Sequence, residues 1–103
     1  MYCTVYTTFP NSEEATRIGK ILIEEKLAAC VNFFPINSIY RWEGKIVENE
    51  EIAMFIKTRD SLTSKVIERI KELHSYKIPV IVTYEIKEGN DKFFEWIDTE
   101  TEG

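Results

Sequence analysis

An α+β fold is predicted by the order of patterns along the 103 residues, which run extended, helical, extended, extended, helical, extended, with a short helix to close. Two further observations support it. Two long extended runs meet at Glu43-Gly44, a pair suited to a tight hairpin, and each of the two main helical segments carries its apolar residues along one side.

The first element is YCTVYTT, residues 2–8, rich in β-branched and aromatic types and closed by the turn at Phe9-Pro10. Asn11 is an N-cap candidate, with Glu14 three residues on and Glu13 in the first turn, where the helix dipole favours negative charge. Ala15, Ile18, Ile21 and Leu22 keep a helical period that predicts a helix to about Lys26, with Glu14, Arg17, Lys20 and Glu24 on the wet side. LAACVNFFPINSIYRW, residues 27–42, then reads as extended, and Pro35, lacking a ladder donor, is expected to mark a bulge or bend. KIVENEEIAMFIKT, residues 45–58, completes a long hairpin whose tip is the crowded stretch YRWEGKI. Asp60 and Ser61 are cap candidates for a second helix with the stripe Leu62, Val66, Ile70 and Leu73, ending near His74. Pro79 opens the strand VIVTYEI, which stops at Glu88-Gly89-Asn90. DKFFEWI forms the terminal helix, and TETEG is expected to fray.

This is the split βαβ, ferredoxin-like order, one domain over residues 1–103: an antiparallel sheet with two helices on one face, a long hairpin between the second and third strands, and a C-terminal helix. The alternation then raises a difficulty. Ile52, Met54 and Ile56 fall on one face of the sheet and Ala53 and Phe55 on the other. Cys3 and Val5 likewise oppose Tyr2 and Tyr6, and Val80, Val82, Tyr84 and Ile86 oppose Ile81. Both faces are apolar. A patch of that size is uncommon on a soluble monomer, which predicts self-association through the helix-free face and the hairpin.

Composition narrows the function classes. With 44% hydrophobic and 30% charged residues the chain can fold without disulfides or a structural metal, and a net charge of -5 disfavours nucleic acid and anionic membranes as partners. The start MYCTVYTTFP lacks a basic and apolar leader pattern, and no apolar run reaches spanning length, so a cytoplasmic location is expected. Cys3 and Cys30 have no CxxC spacing and are expected as buried thiols, Cys30 packed in the core. A Cys30–His74 nucleophilic pair is disfavoured, because nothing in the spacing demands contact. The acidic run Glu48–Glu51 reads as a solvated hairpin edge rather than a calcium loop. Lys57, Thr58 and Arg59 could face an anion or extend along the surface. Tyr40 and Trp42, on one face of the hairpin tip, read as interface anchors.

Taken in order, LAACVN at 27–32, IYRWEGKI at 39–46, KTR at 57–59 and LHSYKIP at 73–79, with VYTTFP and FFEWI at the ends, resemble the CutA divalent-cation tolerance family over nearly the whole chain. The resemblance implies a cytoplasmic homotrimer linked to tolerance of copper and other divalent cations, binding metal without catalysis and needing no organic cofactor. Some members are described as holding copper through a cysteine of the first strand and two adjacent histidines; the matching positions here are Thr7, Leu73 and His74, which leaves His74 as the metal-ligand candidate. The family is also similar in architecture to the trimeric PII signalling proteins. That implies an alternative, a small effector in a cleft between subunits lined by Tyr40, Trp42, Lys57, His74 and Tyr76.

Overall fold

The computed structural model describes residues 1–102; Gly103 lies outside the described residues. Its elements are β1 (Tyr2–Phe9), α1 (Ser12–Glu24), β2 (Cys30–Trp42), β3 (Lys45–Arg59), α2 (Thr63–Leu73), β4 (Ile81–Ile86) and α3 (Asp91–Glu100). The strands form one antiparallel sheet in the order β2-β3-β1-β4, the ferredoxin-like arrangement the alternation of elements predicts.

The core lies between the sheet and α1 and α2. Cys3, Val5 and Phe9 of β1 and Met54 and Ile56 of β3 meet Ala15, Ile18 and Leu22 of α1 and Val66 and Ile70 of α2. Gly19 sets the spacing of that contact, since an added Cβ would stand 3.0 Å from Val31 Cγ2 and 3.3 Å from Met54 Cε. At the hairpin tip Glu43 and Gly44 both take positive φ, 49° and 80°, as a two-residue turn between right-twisted strands requires. The long hairpin extends the molecule to 45 Å along its main axis, against 25 and 21 Å across.

Several local expectations change. Pro35 makes no bulge: the β2–β3 register runs unbroken through Pro35↔Ile52. β2 is an edge strand, where alternate N–H groups point away from the sheet, so a missing donor is tolerated. The first helix ends at Glu24, and Lys26 at φ 59° turns the chain into Leu27 before β2 begins at Cys30. Asn11 caps that helix as expected, its Oδ1 accepting from the Glu14 N–H at 2.9 Å, but the Glu14 carboxylate leaves the cap to accept from Ser75 N–H at 3.0 Å. Neither Asp60 nor Ser61 caps α2; a short 3-10 turn over Asp60–Leu62 precedes it, and Asp60 binds the terminal amine of Met1. β4 starts at Ile81, just after the segment Pro79-Val80.

The largest departure concerns the C-terminus. Rather than fraying, it is tied to the helix-free face of the sheet, where the Tyr2 ring stacks on Phe94 at 4.5 Å and the Tyr2 hydroxyl donates to Asp98 at 2.7 Å. Arg59 donates from Nε to Thr101 Oγ1 at 2.8 Å and from Nη2 to the Thr101 carbonyl at 2.9 Å, and Thr101 is buried. Polarity alone suggested a loose tail; one arginine at the end of β3 holds it. Arg59→Met should therefore lower unfolding stability by about 1–3 kcal/mol in urea titrations. It should also remove hydrogen-exchange protection from α3 while leaving β1 protected.

Candidate functional site

On the helix-free face, strand alternation lines up Tyr6 and Thr8 of β1, Glu51, Ala53 and Phe55 of β3, and Ile36, Ser38, Tyr40 and Trp42 of β2. Where the hairpin leaves the body of the sheet, these residues other than Ala53 and Phe55, together with the segment after α2, enclose a groove of about 670 Å³. Tyr6, Tyr40, Trp42 and Tyr76 supply rings to it, Glu51 and Thr8 supply polar groups, and Lys77 reaches it from the loop.

Glu51 is only 8% exposed. Its Oε2 accepts from the Tyr76 hydroxyl at 2.7 Å and from Thr8 Oγ1 at 3.2 Å. Burial, and then the hydrogen bond to Glu51, push the Tyr76 phenol far above its ordinary value. Tyr6 is raised as well, by burial first and by the Glu51 carboxylate second. The floor of the groove is thus a carboxylate among phenols that stay protonated.

Tyr76 is aimed by the residues before it. His74 ends α2 in extended conformation, and its ring stacks on Phe9 at 4.8 Å between centroids. Tyr76 N–H donates to His74 Nδ1 at 3.0 Å, which assigns the ring proton to Nε2, and Nε2 donates to the Thr8 carbonyl at 2.6 Å. Together with the Glu14–Ser75 bond, this clamps residues 74–76 against the sheet.

His74, the metal-ligand candidate, is therefore fully buried at its side chain with both nitrogens engaged in hydrogen bonds. Thr7 and Leu73, at the other two family positions, offer no soft ligand, and no group of three or more His, Cys, Asp or Glu that could hold a metal occurs among the described residues. The donor set does not fit a copper centre. Of the five cleft residues read from the sequence, Tyr40, Trp42 and Tyr76 come together in the groove, whereas Lys57 and His74 do not line it. Lys57 stands six residues past Glu51 on β3, about 20 Å at strand rise, and donates to Asn32 Oδ1. Thr58 and Arg59 are likewise committed internally, Thr58 Oγ1 to the Leu27 carbonyl at 2.6 Å and Arg59 to Thr101. Cys30 is half-buried on the helix-free face opposite Lys57 rather than in the core, and its thiol points to Asn32 Oδ1 at 3.5 Å, away from His74.

Glu51 is the groove residue that sequence reasoning misses, since the acidic run groups it with the exposed Glu48 and Glu50. Its parity with Ala53 and Phe55 was the available signal, since it places the carboxylate on an apolar face.

The family model described as "CutA1 divalent ion tolerance protein" matches residues 3–100. The "Divalent-cation tolerance protein CutA" of Archaeoglobus fulgidus is 47% identical over 102 residues, spanning 99% of this chain and 100% of its own. A solved structure, "Structure of the Periplasmic divalent cation tolerance protein CutA from Archaeoglobus fulgidus", superposes with TM-score 0.97 at 47% identity, covering 99% of this chain and 100% of that one. The crystal structure of CutA1 from Pyrococcus horikoshii gives TM-score 0.95 at 40% identity, with 98% and 99% covered.

Five tyrosines are present, and Tyr2, Tyr6 and Tyr76 all have phenols shifted upward, Tyr2 through its hydrogen bond to Asp98. A phenol whose pKa is higher folded than unfolded contributes stability that is complete below about pH 10 and is lost as pH rises beyond it. Absorbance titration at 295 nm, a wavelength that follows phenolate, should show ionisation delayed beyond the free-tyrosine range. Tyr76→Phe should remove the most alkaline step and flatten the alkaline loss of stability.

Proposed function

Because the chain belongs to the CutA1 divalent ion tolerance family, we propose that it serves divalent-cation tolerance as a non-enzymatic homotrimer that binds a small ligand in the Glu51–Tyr76 cleft. The observation that carries this reading is the groove itself: an aromatic-walled hollow with a buried carboxylate at its floor, aimed by a clamped loop. Such a hollow is shaped to hold a small molecule.

Assembly is supported by the face on which the groove lies. Phe34, Tyr40, Trp42, Val80, Val82 and Tyr84 are exposed there, and α3 covers only the end near Tyr2 and Arg59. The helices on the opposite face cannot reach these side chains, so a second copy is the natural cover. The groove sits at the margin of this patch, where a neighbouring subunit closes its open side. The trimeric count follows the resemblance described above. The cytoplasm is the proposed compartment, in keeping with two unpaired thiols, Cys3 and Cys30, although the Archaeoglobus structure is described as that of a periplasmic protein.

Light scattering should find a trimer at micromolar concentration, and Phe34→Glu, which puts a charge into the patch at an exposed position, should give smaller, folded species. A monomeric wild-type protein overturns the assembly. For the cleft, a thermal-shift screen of nucleotides, amines and divalent metals reads native-state binding by mass action. The expected hits lose their effect in Glu51→Gln. Copper that stabilises the wild type and not His74→Asn returns the metal reading and its ligand; hits indifferent to Glu51→Gln, Tyr40→Leu and Trp42→Leu alike remove the cleft.

A further inference from the structure

Resting on the small-ligand reading of the cleft, we propose that its ligand is a small organic cation, an alkylammonium whose charged nitrogen lies against the free oxygen of Glu51 and the faces of the surrounding rings.

The carboxylate comes first. Both protein donors to Glu51, Tyr76 Oη and Thr8 Oγ1, go to Oε2; Oε1 receives none, and no lysine, arginine or histidine forms an ion pair with Glu51 among the described residues. A carboxylate more than nine-tenths buried normally has a cationic partner, because hydroxyl donors offset only part of its desolvation. Oε1 is not sealed in the protein but opens to the solvent of the groove, and it is the side on which a positive charge entering the groove would pair with the carboxylate.

The walls then select the kind of cation. Tyr6, Tyr40, Trp42 and Tyr76 line the same groove, and ring faces attract a diffuse, weakly hydrated ammonium far better than a hard ion. A calcium- or magnesium-sized ion needs about six oxygen ligands, several of them charged, and the groove offers one carboxylate with neutral hydroxyls and amides from Thr8, Ser38 and Asn37. Anions are disfavoured by the same carboxylate. The one cationic side chain on the groove, Lys77, is exposed on the loop, where it keeps its hydration. A groove of about 670 Å³ has room for a ligand larger than a bare ammonium, whose uncharged portion would lie along Ile36, Ile78 and Val80.

The test uses the full assembled chain and titration calorimetry with choline, with propylammonium, and with the neutral isostere of choline in which carbon replaces the charged nitrogen. At least one cation is expected to bind, with choline preferred over its isostere by about tenfold or more. Glu51→Gln keeps an acceptor for Tyr76 and Thr8 but removes the charge, and it should abolish the preference. Tyr40→Leu removes a partly exposed ring outside the core and should weaken the cation by about fivefold. Equal affinity for choline and its isostere, failure of both cations to bind, or a preference retained by Glu51→Gln overturns the proposal. The two readings fail separately. A nucleotide or a neutral compound that stabilises the protein in a manner dependent on Tyr40 and Trp42, with both cations silent, overturns the organic cation and leaves the cleft standing. Silence of every compound overturns both.

Discussion

A single sheet carrying apolar side chains on both faces, with its two long helices on one of them, is the constraint on which the rest of this molecule depends. Strand alternation places Val5, Met54 and Ile56 toward α1 and α2, and the intervening Tyr6, Phe55 and Tyr84 toward the opposite side. The first set is dry within one chain; the second is not. The terminal helix covers the end near Tyr2, and the remainder is exposed within one chain. The hairpin extends the same two-sided problem outward, with Ile39 and Ile46 exposed on one side and Tyr40 and Trp42 on the other. Apolar area of this extent on a projecting arm is uncommon on a protein that stays alone in water.

The cleft grows out of that arrangement. Glu51 stands on the apolar face by strand parity alone, at the point where the hairpin departs from the body of the sheet. A carboxylate there is tolerated because Thr8 on the neighbouring strand and Tyr76 from the loop donate to it. Tyr76 is in turn placed by His74, whose ring sits on Phe9 and bridges the Thr8 carbonyl to the Tyr76 amide, while Glu14 of α1 holds Ser75. A continuous set of bonds therefore runs from the start of the first helix, through the end of the second, to the floor of the groove. This explains why the only histidine is better understood as a strut than as a ligand: releasing either nitrogen to a metal strands a backbone amide or carbonyl that is paired now.

The fold was legible from local patterns to a considerable degree, and for definable reasons. The 3.6-residue stripes of α1 and α2, the alternation in β1 and β3, and Glu43-Gly44 at the turn are short-range signals, each with one favoured backbone solution. Element ends were less so. Asp60 has the chemistry of a cap but meets the Met1 amine instead, and Pro35 has the chemistry of a breaker but lies on an edge. In both cases a partner distant in sequence overrode the local preference.

What the amino-acid order determined by itself was the set of elements, the two-faced sheet, and the aromatic character of the hairpin tip, because these follow from periodicity and turn chemistry between near neighbours. Family membership, too, was visible in the ordered motifs. Tertiary structure alone decided which polar groups are spent inside the protein and which face the groove. Lys57, Arg59 and His74 looked available and are committed to Asn32, Thr101, and Thr8 with Tyr76, whereas Glu51 looked like surface and is buried with one oxygen free. The physical reason is that a hydrogen-bonding side chain declares its chemistry in sequence but not its partner, and the partner is brought by strands and loops dozens of residues away.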